Sequence, residues 1–385
     1  MSAKQLLKYL YTYMCRMIWG VNNKKVVFQS FSGKSYSDNP RAISEKLHEI
    51  CPDLEFVWFC ANSTSQKEIM PDYINIVDAT NKLKVFKELA TCAVYVDNCC
   101  LPKIPKGKKQ FFVQTWHGDR GFKKVLHDSG YRTEKQRVAE EKDGYCDLAI
   151  AGSDYGERQY RSAFGYKGKI LKCGTPRNDI LVNPTNEIVE KVRTKLSVPE
   201  TVKILLYAPT LREKSAASFT EQPIQDIDIE STLECLENKF GCDWVCFIRA
   251  HHTVAGISGI SYNSKILNVT SYPDMTDLLA ISDFLITDYS SSAGDFPLRN
   301  KPMILYQADR DMYEKDDRNF YFNIDESPFC VAKNQQELES IIDSLSEDEV
   351  EINCKEVLEF YNTYESGNAS EEVARIILTH ISNLK

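Results

Sequence analysis

From residue 25 to residue 306 the chain alternates short apolar runs with stretches whose apolar positions recur at three and four residues. The runs at 26–29, 55–59, 74–77, 93–96, 111–114, 148–151 and 170–171 have strand length, and 43–50 and 82–89 read as helices among them. Such alternation predicts a parallel sheet covered by helices. Pro176 and Pro184 precede a charged helical stretch at 187–196, after which the pattern restarts at 203–207, 244–248, 266–269, 284–287 and 303–306. The expected fold is therefore α/β, with two doubly wound Rossmann-like domains at 21–182 and 201–385 joined by a linker at 183–200. Ligands of such folds bind at the carboxyl ends of the strands, so the two sheets are expected to open onto a shared cleft. The acidic run 347–351 reads as a solvated loop.

Residues 1–20 show a different pattern. Leu7, Leu10, Met14, Met17 and Ile18 fall on one stripe, Lys4, Lys8 and Arg16 lie off it, and Tyr9, Tyr11, Tyr13 and Trp19 add aromatics suited to a membrane interface. Two readings stand side by side: an amphipathic helix lying in the membrane plane, or a helix packed on its own domain. No run reaches the roughly 20 apolar residues needed to cross a bilayer.

Composition narrows the class. Thirteen cysteines at scattered positions, with no CxxC pair and no signal peptide, read as reduced thiols of a cytoplasmic protein. The net charge of −8 is unevenly placed: residues 1–182 hold 29 Lys and Arg against 20 Asp and Glu, leaving 18 against 35 for the remainder. The front half thus suits an anionic partner. Without zinc-finger spacing or an aromatic-basic RNA signature, a phosphate-bearing membrane surface fits better than nucleic acid.

Polar clusters sit where strands should end. After 111–114 comes Trp116-His117-Gly118, a turn on which a histidine could take a proton from an attacking hydroxyl or bond a loop carbonyl. After 244–248 come Arg249, His251 and His252, which with Arg212 could neutralise phosphate; the lesser alternative is that Arg249 pairs with nearby carboxylates. After 284–287 come Asp288 and the serines Ser290, Ser291 and Ser292. A helix beginning near Ser290 would present N–H groups and hydroxyls to a phosphate, or be an ordinary capped βα unit. Lys123, Lys124 and Arg120 make the His117 loop basic. The pair Asp309 and Asp311 is too short a motif to assign a metal. No Walker loop, GxGxxG or zinc constellation calls for a cofactor, and dependence on a divalent metal stays open.

Taken together, these residues resemble the CDP-glycerol glycerophosphotransferase family of teichoic acid and related polymer synthesis. VVFQSFSGKSYSDNPRAI, QTWHG, AFGY, GTPRND, YAPTLR, and ITDYSSSAGDF before KPMILYQADRDMY carry the resemblance across nearly the whole chain. It implies a GT-B-like fold with a membrane-associated acceptor domain and a CDP-donor domain. The implied reaction is transfer of glycerol phosphate from CDP-glycerol to a lipid-linked saccharide or polyol-phosphate acceptor, releasing CMP, at the inner face of the cell membrane, for teichoic acid or capsule. By the same match His117 would assist the acceptor hydroxyl and His251 would contact the donor phosphates. Thr210, Arg212, Arg249, Asp288, Ser290 and Ser291 would hold the donor, and Asp38, Asn39, Trp116, Gly118 and Lys123 would lie on the acceptor side. Asp119-Arg120 stands where the family usually has Thr-Pro, His251-His252 where it often has His-Pro, and Arg318-Asn319 where it has Arg-Gly. CDP-ribitol as donor, and a nucleotide-sugar glycosyltransferase, remain the alternatives.

Overall fold

The computed structural model describes residues 3–61, 68–99, 104–130, 133, 146–211, 222–223, 226–250, 257–316 and 319–384. The chain divides into two compact units: Met1–Asp119, Glu134–Asp179 and Tyr364–Lys385 form the first, Arg120–Thr133 and Ile180–Thr363 the second.

The first unit is built on seven strands: β1 (Asn22–Gln29), β2 (Glu55–Cys60), β3 (Ile74–Asp78), β4 (Cys92–Asp97), β5 (Phe111–Gln114), β6 (Leu148–Ala151) and β7 (Lys169–Lys172). They pair in the order β3-β2-β1-β4-β5-β6-β7, and every ladder is parallel. β4 and β6 are buried along their whole length. This is why they read as continuous apolar runs rather than alternating ones. The helices α1 (Ala3–Trp19), α2 (Asp38–Ile50), α3 (Lys82–Thr91) and α4 (Asp154–Ser162) belong to the same unit.

The second unit restarts the pattern with β8 (Lys203–Ala208), β9 (Gln222–Pro223), β10 (Trp244–Ile248), β11 (Ile257–Ser258), β12 (Ile266–Asn268), β13 (Phe284–Thr287), β14 (Met303–Tyr306) and β15 (Val331–Ala332). Its six-stranded sheet runs β12-β10-β8-β13-β14-β15, again parallel, while β9 and β11 pair separately. In each large sheet the strand order reverses once, between β1 and β4 and between β8 and β13. An open parallel sheet leaves a crevice outside the carboxyl ends of its strands at that point, because the helices on either side cross to opposite faces.

The helix expected near Ser290 forms as a single turn, α5 (Ser292–Asp295), which runs into a 3-10 turn at Phe296–Arg299. Two features differ from the sequence reading. The acidic run 347–351 opens α6 (Glu347–Tyr361) instead of a loop, because Ser346 and Glu349 form a capping box and the carboxylates face the positive end of the helix. The last helix, α7 (Ala369–Ser382), expected with the second domain, belongs to the first unit. There Val373, Ala374, Ile377 and Ile381 complete the core formed with Val26, Phe28, Ile43 and Leu47. Burying that stripe contributes roughly 1.5–3 kcal/mol per large side chain.

Helix α1 packs on α3 with Thr12 and Cys15 buried. Arg16 reaches inward to the Pro105 carbonyl at 2.6 Å and Gln110 Oε1 at 2.9 Å. The apolar stripe faces the other way, with Leu7, Leu10, Met14, Met17 and Ile18 all at least half exposed. Among the described residues no helix is long and apolar enough to cross a membrane.

Candidate functional site

At the reversal point of the first sheet, Asn98 comes directly after β4 and Phe31 just after β1. The Phe31 N–H donates to Asn98 Oδ1 at 2.8 Å, tying the two strand exits together. His117, on the loop after β5, places Nδ1 2.7 Å from the Asn98 carbonyl oxygen. A carbonyl can only accept, so Nδ1 carries the hydrogen and Nε2 holds the lone pair. The ring lies beside Trp116 (centroids 4.2 Å apart) and edge-on to Phe31 (5.2 Å), with Cys99 Sγ 3.7 Å from Nδ1. Burial holds His117 below its ordinary value near 6.5, and the Arg177 charge adds to this, while the Asn98 bond and Asp38 oppose it. The imidazole is therefore neutral near neutral pH, the state needed to receive a proton.

The loop bearing His117 is strained and braced. Trp116 has φ 54° and Asp38, the first residue of α2, has φ 64°. Non-glycine residues in this region cost about 1–3 kcal/mol each and persist where surrounding bonds fix them. The Trp116 N–H donates to Gln114 Oε1 at 2.8 Å, and its carbonyl accepts from Asn39 Nδ2 at 2.9 Å. A Cβ at Gly118 would stand 3.2 Å from the Trp116 indole nitrogen, so a larger residue would push the indole aside. Asn39, Thr115, Trp116, His117, Asp119 and Thr175 are among the residues lining a pocket here. The Asp119 carboxylate accepts from the Gly152 N–H (3.0 Å) and the Ser153 hydroxyl (2.6 Å) just before α4. Gly156 has no room for a Cβ against it. The departure at Asp119 thus gives the pocket a fixed wall.

The reversal point of the second sheet holds Asp288, which is 1% exposed. Its carboxylate accepts from the Thr210 hydroxyl at 2.5 Å, from the Thr210 N–H at 2.9 and 3.0 Å, and from the Tyr289 N–H at 2.5 Å. Asp288 therefore clamps the exit of β8 to the exit of β13. The Ser292 N–H and hydroxyl both reach Ser290 Oγ, at 3.3 and 2.9 Å. Ser290 Oγ accepts from these groups, and its own O–H can turn outward to an oxygen ligand. Because α5 is one turn long, its dipole adds little, and any anion held here is held by hydroxyls and loop N–H groups.

The structure gathers some of the expected site residues and separates others. In the first unit Asp38, Asn39, Trp116, His117 and Gly118 come together, as do Thr210, Asp288, Ser290 and Ser291 in the second. Arg249 is one strand over, half-buried, and donates to the Tyr272 carbonyl at 2.7 Å; desolvation lowers its pKa against the pull of Asp274 and Asp277. Lys123 belongs to the second unit, whereas His117 belongs to the first; its Nζ lies 4.9 Å from the Tyr313 ring centroid, and its backbone bridges to Phe320. Arg212, His251 and His252 lie outside the described residues. Among the described residues no group of three or more His, Cys, Asp or Glu is arranged to hold a metal ion. Arg177 and Asn98 carry no signal of their own in the sequence: one stands inside GTPRND without an evident task, the other among strand-end polar residues.

The family model for CDP-glycerol:poly(glycerophosphate) glycerophosphotransferases matches residues 10–379. The chain belongs to this family. It is 30% identical over 93% of its length to the teichoic acid poly(glycerol phosphate) polymerase of Staphylococcus epidermidis, of which it covers 51%. It is also 30% identical over 98% of its length to the polymerase of the same name from Bacillus spizizenii, covering 100% of it. The chain thus spans about half the length of one such relative and all of another. A solved variant of the wall teichoic acid polymerase TagF soaked with CDPG superposes with a TM-score of 0.84 at 26% identity, covering 100% of this chain and 99% of that one. The α/β fold of this family member, with its parallel sheets, is therefore GT-B-like.

Proposed function

We propose that the protein transfers glycerol phosphate from CDP-glycerol to a hydroxyl of a lipid-linked saccharide or polyol-phosphate acceptor, with release of CMP, in teichoic acid or related surface-polymer synthesis. The observation that carries the reading is His117: a neutral imidazole at a sheet reversal point, with Nδ1–H spent on Asn98 and Nε2 left as a base. Family membership supplies the donor class.

In this mechanism the acceptor oxygen attacks the phosphorus bearing glycerol while the bond from that phosphorus to the CMP oxygen breaks. The acceptor proton passes to His117 Nε2, and CMP leaves with the bonding electron pair. Little covalent work falls to the protein, so its contribution is positioning and charge neutralisation. Asp288, by fixing Thr210 and the turn carrying Ser290 and Ser291, sets N–H and hydroxyl donors toward the diphosphate. His251 and Arg212 complete this donor set in the proposal, and Arg249 holds the neighbouring loop.

The exposed apolar face of α1 supports attachment to the membrane surface that carries the acceptor. Burying it in the headgroup boundary would remove Leu7, Leu10, Met14, Met17 and Ile18, which the fold leaves exposed, from water. The product tests the assignment: phosphorus NMR of the reaction between CDP-glycerol and a lipid-linked acceptor should show a new phosphodiester and CMP. The same signals from CDP-ribitol alone would move the assignment to ribitol phosphate.

A further inference from the structure

The loop that bears His117 is held from a distant part of the chain. Arg177, in the 3-10 turn Pro176–Asn178, donates through one nitrogen, Nη1, to Asp38 Oδ2 at 3.0 Å and to the His117 carbonyl at 2.9 Å. Its own N–H donates to Asn39 Oδ1 at 3.0 Å, and Asn39 Nδ2 in turn holds the Trp116 carbonyl. Arg177 and Asp38 are each 7% exposed. The two left-handed residues of the site, Asp38 and Trp116, are thus tied into one network with consecutive carbonyls of the His117 loop.

We propose that Arg177, acting with Asp38 and Asn39, is the positioning unit of the transfer reaction: it fixes the strained Trp116-His117 backbone and balances a buried charge pair beside the imidazole. The inference rests on His117 being the base. Arg177 acts through the His117 loop and not on the reacting atoms. Its guanidinium supplies two hydrogen bonds to two different acceptors from one nitrogen, a geometry a lysine ammonium on a flexible stem holds less firmly. Among the described residues, the charged or titratable groups acting on His117 are Asp38 on α2, Arg177 on its turn and the Cys99 thiol after β4.

The two charges act on the imidazole with opposite sign, which gives a test that a merely structural role would not pass. Arg177→Met and Asp38→Asn are compared with wild type by NMR titration of labelled His117 and by the pH dependence of kcat/KM. Loss of the arginine should raise the His117 titration point and the acid limb by about half a unit to one unit; loss of the carboxylate charge should lower both by a similar amount. In both variants kcat should fall at least about tenfold while KM for CDP-glycerol stays within about threefold, because the interaction is spent on the transition state. Shifts of the same sign, no shift, or a rise in KM at constant kcat overturns the proposal. Should Arg177→Met fail to fold, the downward shift in Asp38→Asn decides alone, and its absence overturns the proposal. His117→Ala separates the two claims: wild-type turnover in that variant removes His117 as the base, whereas the NMR titrations still report the brace.

Discussion

Arg120 and Asp295 form an ion pair with almost no exposure to water: Arg120 Nη2 and Nε lie 2.5 and 3.1 Å from Asp295 Oδ1, and the two side chains are 0% and 4% exposed. Gly294 makes the approach possible, since a Cβ there would stand 2.5 Å from Arg120 Cβ. The last two residues of the SSSAGD signature thus seat an arginine rather than a ligand. Taking one partner away leaves a buried charge, so Asp295→Ala should lower stability by about 3–5 kcal/mol. Gly294→Ala should destabilise too, and thermal unfolding of both variants checks this.

His117 gives a pH signature. Removing a general base typically costs about a hundredfold to ten-thousandfold in rate, and His117→Ala should fall in that range. Because burial lowers the imidazole pKa, the acid limb of kcat/KM in wild type should lie below 6.5.

The same shift predicts stability. Between the lowered folded value and 6.5 the unfolded chain holds the extra proton. The contribution of His117 is therefore fully present above 6.5 and lost as pH falls through that window. Denaturant midpoints of wild type and His117→Gln, compared at about pH 7.5 and about pH 5, should converge at the lower pH.

Asp288 serves the donor half. Asp288→Ala removes the acceptor of the Thr210 and Tyr289 N–H groups, freeing the turn that carries the serines. CDP-glycerol binding by calorimetry should weaken at least about tenfold, the loss expected when a charge-assisted set of roughly 1.5–3 kcal/mol is removed.

The exposed face of α1 predicts surface binding. Leu7→Glu with Met14→Glu should abolish sedimentation with phospholipid vesicles, while turnover of a soluble acceptor analogue persists. Thr12 and Cys15, which pack inward, are untouched by these changes.

The part of the fold legible in the sequence is the local part. Buried parallel strands announce themselves as apolar runs, and His117 and Asp288 can be found because each stands at the exit of such a run. Arg177 cannot, since its partner Asp38 lies 139 residues away and only the fold joins them. Helix α7 has the pattern of any amphipathic helix, and nothing in that pattern says which core it completes. The charge of the run 347–351 suggests a loop, whereas the Ser346 and Glu349 capping box decides its structure. Ser290 promises a helix that Pro297 and the left-handed Asn300 cut short.

The transfer chemistry is tested most directly by CMP released from CDP-glycerol by the purified protein, with and without a lipid-linked acceptor, in wild type and His117→Ala. Release in wild type should depend on acceptor and fall at least about a hundredfold in the variant. No release from CDP-glycerol in the presence of acceptor, or equal release by both proteins, would contradict that chemistry.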